Sequence, residues 1–235
     1  RNHIANQADI TIVYVKKQAE ELQGVEGKII VNTGDDGRIN EISIDPNIEN
    51  EVKYSTNVYV LKRTLLLSLI SDAFSHGYSH FGQDVLARNV NNLRIFGYEH
   101  NGYFVAINSL YGYYKESLKF LDRKVRDEIF RNVDVFTKVK DSAPTRYGAN
   151  SVVKNSLIAD GCVIEGTVEN SIIFRGVKIG RGAVVKNSIV MQGSFIGENA
   201  SLNCIITDKS VVIKDRRVLS GCETHPFYIS KNNII

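Results

Sequence analysis

A short phrase recurs four times in the second half of the chain and constrains the fold more than any other feature. Each copy has an asparagine, a small residue and two aliphatic residues: Asn155–Ile158, Asn170–Ile173, Asn187–Val190 and Asn203–Ile206. The asparagines are 15, 17 and 16 residues apart. A second marker follows in step, at Asp160-Gly161, Arg175-Gly176, Gln192-Gly193 and Asp208-Lys209. Two markers repeating together indicate stacked structural units rather than a chance run of aliphatic residues.

Within these units the aliphatic residues return every six positions, at Ile173, Ile179, Val185 and Met191, and after a slip of one residue at Ile196 and Leu202. Six is the period expected when each short strand ends at a corner and one inward side chain fills each face of a coil. We therefore predict a left-handed parallel β-helix of hexapeptide repeats over residues 150–235. The stacked asparagines are expected to form an amide ladder, and Val218 to Ile235 a terminal cap over the open strand edges.

The first half mixes strand and helix patterns and predicts an α/β domain over residues 1–132. The predicted strands are Ala8–Val15, a hairpin of Lys28–Val31 and Arg38–Ile44, Ser55–Leu61, and a pair formed by Leu93–Tyr98 and Gly102–Ile107. The predicted helices are Thr64–Phe74, with Thr64 as N-cap, and one capped by Asn108-Ser109 that runs to about Leu121. Residues 133–149 lack periodicity, contain Pro144 and Gly148, and are predicted to be a connector.

Composition and charge exclude several classes of protein. The net charge is +3, and 43% of the residues are hydrophobic, as in an ordinary globular protein without a nucleic-acid or membrane surface. No apolar run approaches the roughly 18 residues that span a bilayer. Three unpaired cysteines, Cys162, Cys204 and Cys222, indicate a reducing, cytoplasmic compartment. The chain starts at Arg1 without a leader, so we expect a C-terminal fragment of a longer protein.

Familiar catalytic patterns are absent from the sequence. Neither a GxxxxGK[ST] nor a GxGxxG phosphate loop is present. His76 and His80 have no third zinc ligand at matched spacing and are interpreted as surface residues. Cys162 and Cys204 are predicted to be core thiols, and Cys222 with His225 lacks an orienting third group. The repeats contain no histidine base, which disfavours the acyl transfer that many hexapeptide proteins perform.

Several segments resemble the bacterial glucose-1-phosphate adenylyltransferase family, in that family's order. The first repeats resemble its β-helix opening, Ala143–Tyr147 resembles its Pro-Pro-Ala-Lys-Phe connector, and Phe81–Leu86 resembles its Phe-Gly-x-Asp-Ile-Ile segment. The resemblance implies a Rossmann-like nucleotidyltransferase domain before the β-helix. It also implies a relation to the synthesis of ADP-glucose from ATP and glucose 1-phosphate, with magnesium held by carboxylates.

The sequence departs from that family at the residues that would do the chemistry. The glycine-rich loop is absent, Ile44-Asp45-Pro46 stands where the family has Glu-Lys-Pro, and Phe104–Ser109 stands where it has Trp-Glu-Asp-Ile-Gly-Thr. Asp45 brings negative charge where a lysine would meet phosphate, and Ala106 cannot bind a divalent ion. On this resemblance the vestigial sugar-phosphate and metal positions are Ile44, Asp45, Ser55, Val105 and Ala106. The apolar residues among them are expected to fill a disused pocket like core residues.

These losses resemble the GlgD type, a regulatory subunit without catalysis of its own. The resemblance implies no catalytic residue and no metal or cofactor in this chain, with Mg²⁺ held by a catalytic partner subunit. It implies a heterotetramer with that partner, and self-association is the alternative. An active sugar-1-phosphate nucleotidyltransferase and a pure assembly scaffold remain the alternative functions. Lys138, Lys140 and Arg146 are candidate residues for binding a phosphorylated effector, and a solvated basic linker is the alternative interpretation.

Overall fold

A computed structural model describes residues 1–22, 25–131, 135–137 and 140–235, which form two compact units. The first unit is Arg1–Phe104 and the second is Val105–Ile235. This division by contacts falls earlier than the domain boundary predicted after residue 132, which stays a prediction. In the described part of the chain, no helix combines the length and apolar character needed to cross a membrane.

The first unit contains one mixed sheet of five strands. The strands are β1 (Ile10–Lys17), β2 (Ile29–Thr33), β3 (Ile39–Ile44), β4 (Val52–Leu61) and β5 (Ile95–Glu99), in the order β3-β2-β4-β1-β5. Strand β1 is an interior strand and largely buried, as its β-branched sequence predicts, and the β2–β3 hairpin is confirmed. The sheet is antiparallel except for the β1–β5 pair. The Rossmann-like topology of the domain stays a prediction.

Short helical segments flank this sheet. They are α1 (Asn2–Ala5), α2 (Arg63–Ser75), a π-helical segment (Phe81–Leu86) that continues into α3 (Ala87–Asn89), and a 3-10 turn (Ala19–Leu22). The predicted N-cap Thr64 is wrong, because α2 already begins at Arg63 and Lys62 takes the extended cap conformation without a side-chain bond. The predicted strand Gly102–Ile107 is also wrong. That segment has no regular secondary structure, since β5 pairs with β1 instead.

The second unit opens with two helices before its repeats. These are α4 (Leu110–Leu118), extended by a 3-10 turn (Lys119–Leu121), and α5 (Arg123–Phe130). The predicted cap is confirmed, because the Ser109 hydroxyl accepts a hydrogen bond from the Gly112 amide at 3.0 Å. Helix α4 packs on the repeats through Tyr114, which is buried against Ile189, Cys204 and Ile206. This packing places the helices in the second compact unit.

The repeats form a parallel β-helix of about four coils with three faces, which confirms the solenoid predicted from the sequence. Its strands are β6 (Arg146–Tyr147), β7 (Val152–Lys154), β8 (Leu157–Ile158), β9 (Val163–Ile164), β10 (Thr167–Glu169), β11 (Ile172–Ile173), β12 (Lys178–Ile179), β13 (Val184–Lys186), β14 (Ile189–Val190), β15 (Phe195–Ile196), β16 (Ser201–Asn203), β17 (Ile205–Thr207), β18 (Val212–Ile213), β19 (Val218–Ser220) and β20 (Phe227–Ile229). They pair as three sheets, β19-β16-β13-β10-β7, β20-β17-β14-β11-β8 and β18-β15-β12-β9-β6. The predicted left-handed coil stays a prediction.

The coil register corrects two details of the repeat. Ile173 pairs with Val190 and Val190 with Thr207, so Val190 is the inward residue, while Met191 packs with the outer cluster beside Tyr114. Lys186 pairs with Asn203, which aligns Asn187 with Cys204 rather than with Asn203. The fourth phrase therefore begins one residue later than the asparagine pattern predicts, because the backbone repeat there is 17 residues.

Left-handed backbone conformations occur at the corner of each coil that follows strands β7, β10, β13 and β16. Asn155, Asn170, Asn187 and Cys204 have φ values of 42°, 47°, 46° and 53°. Asparagine tolerates this conformation better than most residues, which explains why it recurs here. The predicted amide ladder is confirmed in part, because Asn155 Nδ2 donates to Asn170 Oδ1 at 2.8 Å and Asn187 Nδ2 to Asn203 Oδ1 at 3.0 Å.

Serine hydroxyls link the coils at the same corner. The Ser171 amide donates to Ser156 Oγ, the Ser188 amide to Ser171 Oγ, and the Ile205 amide to Ser188 Oγ, at 3.0 to 3.1 Å. Each of these three hydroxyls also donates to a carbonyl in its own coil. Ser171 and Ser188 are fully buried, so these bonds satisfy backbone groups that water does not reach.

The C-terminal segment continues the solenoid while it covers the last coil. Strands β19 and β20 extend two of the sheets, and the third sheet is met by an isolated bridge between Val212 and Ile234. The Lys214 amide donates to the Ile235 carbonyl at 2.7 Å. The tail therefore satisfies strand edges by pairing with them.

We expect Ser188→Ala to lower the free energy of unfolding of the solenoid by about 1–3 kcal/mol, because the buried Ile205 amide loses its acceptor. Urea denaturation gives the overall change, and hydrogen exchange over residues 188–205 localises it. Ser201→Ala, at a half-buried position, serves as the control and should change stability by less than about 0.5 kcal/mol. Equal effects of the two variants would show that the hydroxyl bonds do not hold the corner.

Candidate functional site

The first unit contains a cavity of about 540 Å³ at the end of strand β3. Its walls come from the end of the β2–β3 hairpin, from the middle of β4 and from the start of the π-helical segment. Two of the predicted site residues, Ile44 and Asp45, line it. This volume lies within the roughly 300–1,000 Å³ range of small-molecule sites, so the cavity is the candidate functional site of this unit.

The Asp45 carboxylate is bound by the chain's own hairpin. Its Oδ2 accepts a hydrogen bond from the Gly27 amide at 2.9 Å, and its Oδ1 accepts one from the Lys28 amide at 2.8 Å. The Lys28 ammonium lies 3.4 Å from Oδ1 and also donates to the Val25 carbonyl. The backbone hydrogen bonds from Lys28 and Gly27 hold the pKa of Asp45 below its ordinary value. The ionised Asp45 carboxylate therefore binds the end of strand β3 to residues 27–28.

Ile44 precedes Asp45 and is the last residue of β3 in the β2–β3 ladder. It pairs with Ile29 and is half-buried. The π-helical segment approaches Ile29 closely at Gly82, where an added Cβ would lie 2.2 Å from Ile29 Cδ1. A larger residue at this contact would require the Ile29 side chain to shift.

Strand β4 contains a bulge that aims a further side chain at the cavity. Val13 pairs with Val58 while Tyr14 pairs with Ser55, which leaves Thr56 and Asn57 unpaired. Ser55 is 1% exposed, and its hydroxyl accepts a hydrogen bond from the Asn57 amide at 3.2 Å. The predicted site residue Ser55 is therefore buried beneath the bulge and stabilises it through this hydrogen bond. Asn57, with φ of 59°, lines the cavity itself.

Tyr59, His80 and Phe81 complete the walls, and the sequence analysis did not identify them as site residues. The Tyr59 hydroxyl donates to Asn57 Oδ1 at 2.9 Å, and the rings of Tyr59 and Phe81 lie 5.4 Å apart. Burial raises the pKa of Tyr59 above its ordinary value, so the phenol stays protonated. His80 was interpreted as a surface residue, and it is exposed at the mouth of the cavity.

Val105 and Ala106 do not act as core residues. They open the second unit in a segment without regular structure, where Val105 is half-buried and Ala106 exposed. With Ile44 also half-buried, the expectation of core-like filling is wrong. Ala106 supplies no oxygen ligand, so this position does not fit the Mg²⁺ that the family resemblance implies. Among the described residues, no cluster of three or more histidine, cysteine, aspartate or glutamate side chains could hold a metal ion.

The candidate effector residues lie before and at the first strand of the solenoid. Lys138 lies outside the described residues, Lys140 is exposed, and Arg146 is exposed at the start of β6. The Arg146 amide donates to the Cys162 carbonyl at 2.9 Å, which fixes the backbone and leaves the guanidinium at the surface.

The cysteine interpretations are resolved by burial and contacts. Cys162 and Cys204 are buried, as predicted. The exposed Cys222 thiol contacts the Thr224 hydroxyl at 3.5 Å and the His225 carbonyl, and the His225 ring nitrogen contacts Thr224 as well. The hydrogen bond from Thr224 lowers the pKa of Cys222, but these contacts provide no thiol–imidazole pair.

Comparison with known proteins identifies the class of the second unit. The family model described as "GlmU-like, C-terminal hexapeptide" matches residues 139–232, which contain the solenoid. The chain is 38% identical over 178 residues to the glycogen biosynthesis protein GlgD of Bacillus subtilis, covering 75% of this chain and 52% of that protein. It is 45% identical over 132 residues to GlgD of Geobacillus stearothermophilus, covering 56% and 38%.

A third relative extends the similarity over nearly the whole chain. The glucose-1-phosphate adenylyltransferase of Acetivibrio thermocellus is 30% identical over 224 residues, covering 93% of this chain and 52% of that protein. The chain is thus a relative of the GlgD proteins and the glucose-1-phosphate adenylyltransferases. It spans about half the length of the curated relatives it matches.

We predict that Asp45→Asn increases hydrogen exchange at the Gly27 and Lys28 amides, because a neutral amide is a weaker acceptor than a carboxylate. In the unchanged chain the pKa of Asp45 is lower in the folded state than in the unfolded state. The stabilisation from its two hydrogen bonds is therefore fully present above the unfolded pKa of about 3.9, and it is lost as the pH falls through the lower folded pKa. Amide exchange followed by NMR between neutral and acidic pH measures both effects. Asp35→Asn, which removes one carboxylate in the hairpin turn, should leave these two amides unchanged.

Proposed function

We propose that this chain belongs to a regulatory, catalytically impaired subunit that acts with a glucose-1-phosphate adenylyltransferase in glycogen biosynthesis. The similarity to two GlgD proteins and to adenylyltransferases supports the pathway. Because the chain spans about half of these relatives, the proposal concerns the complete protein that contains it. Such a protein would act in the cytoplasm, without nucleic acid or membrane as a partner.

The state of Asp45 carries the proposal. A sugar phosphate needs cationic or amide donors, and Asp45 instead places an anion beside the cavity and uses two backbone amides for itself. The nearest ammonium, that of Lys28, is paired with Asp45 and with the Val25 carbonyl. Losing a group that stabilises charge in the transition state typically costs 10²–10³ in rate, and Ala106 removes a second one.

Under this proposal the catalytic machinery and its Mg²⁺ belong to a partner subunit. The two subunits would assemble as a heterotetramer in which this chain raises the partner's activity. An active sugar-1-phosphate nucleotidyltransferase would need other residues to hold metal and phosphate. A pure assembly scaffold would bind the partner without changing its rate, so activity measurements separate the three functions.

We predict that the complete protein containing this chain forms ADP-glucose from ATP and glucose 1-phosphate only at background rate. Mixed with the catalytic subunit, it should raise that subunit's rate. The double variant Asp45→Lys with Ala106→Asp should recover part of the activity, whereas Asp35→Lys with Ala106→Asp, matched in charge, should not. Turnover by the unmixed protein at a rate comparable to the catalytic subunit would overturn the proposal.

We further propose that Arg146 and Lys140, with Lys138 just before them in the sequence, bind an anionic phosphorylated metabolite. Both described residues are exposed and basic. Arginine forms paired hydrogen bonds with phosphate, which gives the guanidinium a defined role.

The effector proposal predicts that a sugar phosphate, from a panel that includes glucose 1-phosphate, raises the melting temperature of the chain, because a ligand that binds the folded state stabilises it. The variant Lys140→Ala with Arg146→Ala should lose this rise. Arg217→Ala, at an exposed position near the other end of the solenoid, should keep it. An unchanged melting temperature with every sugar phosphate would support a solvated linker instead.

A further inference from the structure

An Asn-Gly pair lies just beyond strand β5 in the first unit. The strand ends at Glu99, and the His100 amide donates to the Tyr14 carbonyl of β1 at 2.8 Å. Asn101 and Gly102 follow outside this ladder, where both are exposed and have no regular secondary structure. Because the strand predicted to start at Gly102 does not form, no hairpin constrains the pair.

Neither of the two amides in this pair is engaged by the protein. Within the described part of the chain, no group is hydrogen-bonded to the Asn101 side-chain amide or to the Gly102 backbone amide. The side-chain amide is therefore free to turn toward the main chain, and the backbone nitrogen is free to attack it. Gly102 has no side chain to block that approach, and glycine adopts backbone conformations that other residues avoid.

The His100 imidazole provides a base next to the same pair. A Cβ added at Gly102 would lie 3.0 Å from both Nε2 and Cε1 of His100, so the ring lies against the Gly102 backbone. The Nε2 atom also lies 3.4 Å from the Tyr103 carbonyl oxygen. A neutral imidazole accepts a proton at one ring nitrogen, and histidine is the residue that most often acts as a general base. Three consecutive residues therefore supply a base, an amide carbonyl and a nucleophile.

Comparable pairs elsewhere in the chain are held by hydrogen bonds. Asn170 and Asn187 belong to the amide ladder, and the serine amides that follow them donate to hydroxyls of the preceding coil at 3.1 and 3.0 Å. At Asp160-Gly161 the glycine amide donates to the Ala143 carbonyl at 2.7 Å. These hydrogen bonds occupy the backbone nitrogen that would attack, which sets Asn101-Gly102 apart from them.

We propose that Asn101 is a site of spontaneous deamidation that the His100 imidazole assists. The imidazole takes the proton of the Gly102 amide, and the Gly102 nitrogen attacks Cγ of Asn101. The new C–N bond closes a succinimide ring, while the bond from Cγ to Nδ2 breaks and the nitrogen leaves as ammonia with the proton that the imidazolium returns. Water then opens the ring at either carbonyl and gives aspartate or isoaspartate at position 101.

The modification changes the chain at the end of strand β5 in two ways. Either product adds a negative charge close in sequence to Glu99, which already pairs with the Lys16 ammonium at 3.1 Å. Isoaspartate also adds a methylene to the main chain between the strand and the irregular segment that follows it. The inference is independent of the regulatory role proposed above, since it rests only on the chemistry of residues 100–102.

The test is incubation of the folded 235-residue chain at neutral pH, beside a reference sample kept in urea. Peptide mass spectrometry detects the gain of about 1 Da on deamidation, and labelling by an isoaspartyl methyltransferase detects the isoaspartate product. In the folded chain we expect Asn101 to be modified at least about tenfold faster than Asn170 and Asn187, because their neighbouring amides must first lose a hydrogen bond.

His100→Gln is the decisive variant, because glutamine keeps a polar side chain and removes the base. It should slow the loss of Asn101 in the folded chain at least about threefold, less than the roughly 10²–10⁴ of a fully positioned base because the His100 ring is exposed. In urea the variant should have no effect, since the imidazole is then no longer placed beside Gly102. His76→Gln, at another exposed histidine of the first unit, should leave both rates unchanged.

Three results would overturn the assignment. An Asn101 peptide that stays unmodified while the peptides of Asn170 or Asn187 change would contradict the choice of site. Slower modification of Asn101 in the folded chain than in urea would show that the fold protects the pair. Equal rates for His100→Gln and the unchanged chain in the folded state would remove the imidazole from the reaction.

Discussion

Hydrogen bonding between successive coils at the asparagine corner is the constraint on which the second unit depends. A buried backbone amide has no access to water, and at this corner the Ser156, Ser171 and Ser188 hydroxyls accept from the coil that follows. The serines can do so only when consecutive coils keep the same register. That register turns Ile189 and Ile206 outward, where they form the apolar surface on which Tyr114 packs. The packing of helix α4 on this surface therefore depends on the hydrogen bonds that the serine hydroxyls accept at the corner.

The sequence predicted the solenoid because its periodicity is set locally, but it placed the fourth repeat one residue too early. The residue types favour Asn203 as the corner residue of the fourth repeat, since asparagine occupies the corner in the preceding coils. The backbone requires a left-handed residue 17 positions after Asn187, and that residue is Cys204, with φ of 53°. The Asn203 side chain still accepts a hydrogen bond, because Asn187 Nδ2 donates to Asn203 Oδ1 at 3.0 Å. The side-chain ladder and the backbone register therefore separate at this coil, which a pattern of residue types does not reveal.

In the first unit, local signals predicted the buried strand β1 and the β2–β3 hairpin, whereas long-range pairing decided the rest. Leu93–Tyr98 does form a strand, but its partner is β1, more than 80 residues earlier, and not the apolar segment that follows. The bulge at Asn57 arises from a register shift between β1 and β4. The resemblance to a known family drew attention to Ile44 and Asp45. It did not reveal that Asn57 and His80 share their cavity, because those contacts depend on the bulge and the π-helical segment.

The structure at Asp45 shows how one carboxylate can fix the conformation of the hairpin beside it. An aspartate here offers no cation to a phosphate, yet it fixes the hairpin by accepting two backbone hydrogen bonds. The π-helical segment packs closely against this hairpin where Gly82 meets Ile29, and Ile44 is half-buried. Asp45 and the bulge residue Asn57 both have positive φ, a conformation that aspartate and asparagine tolerate better than most residues. Asp45 therefore fixes the hairpin that forms one wall of this cavity.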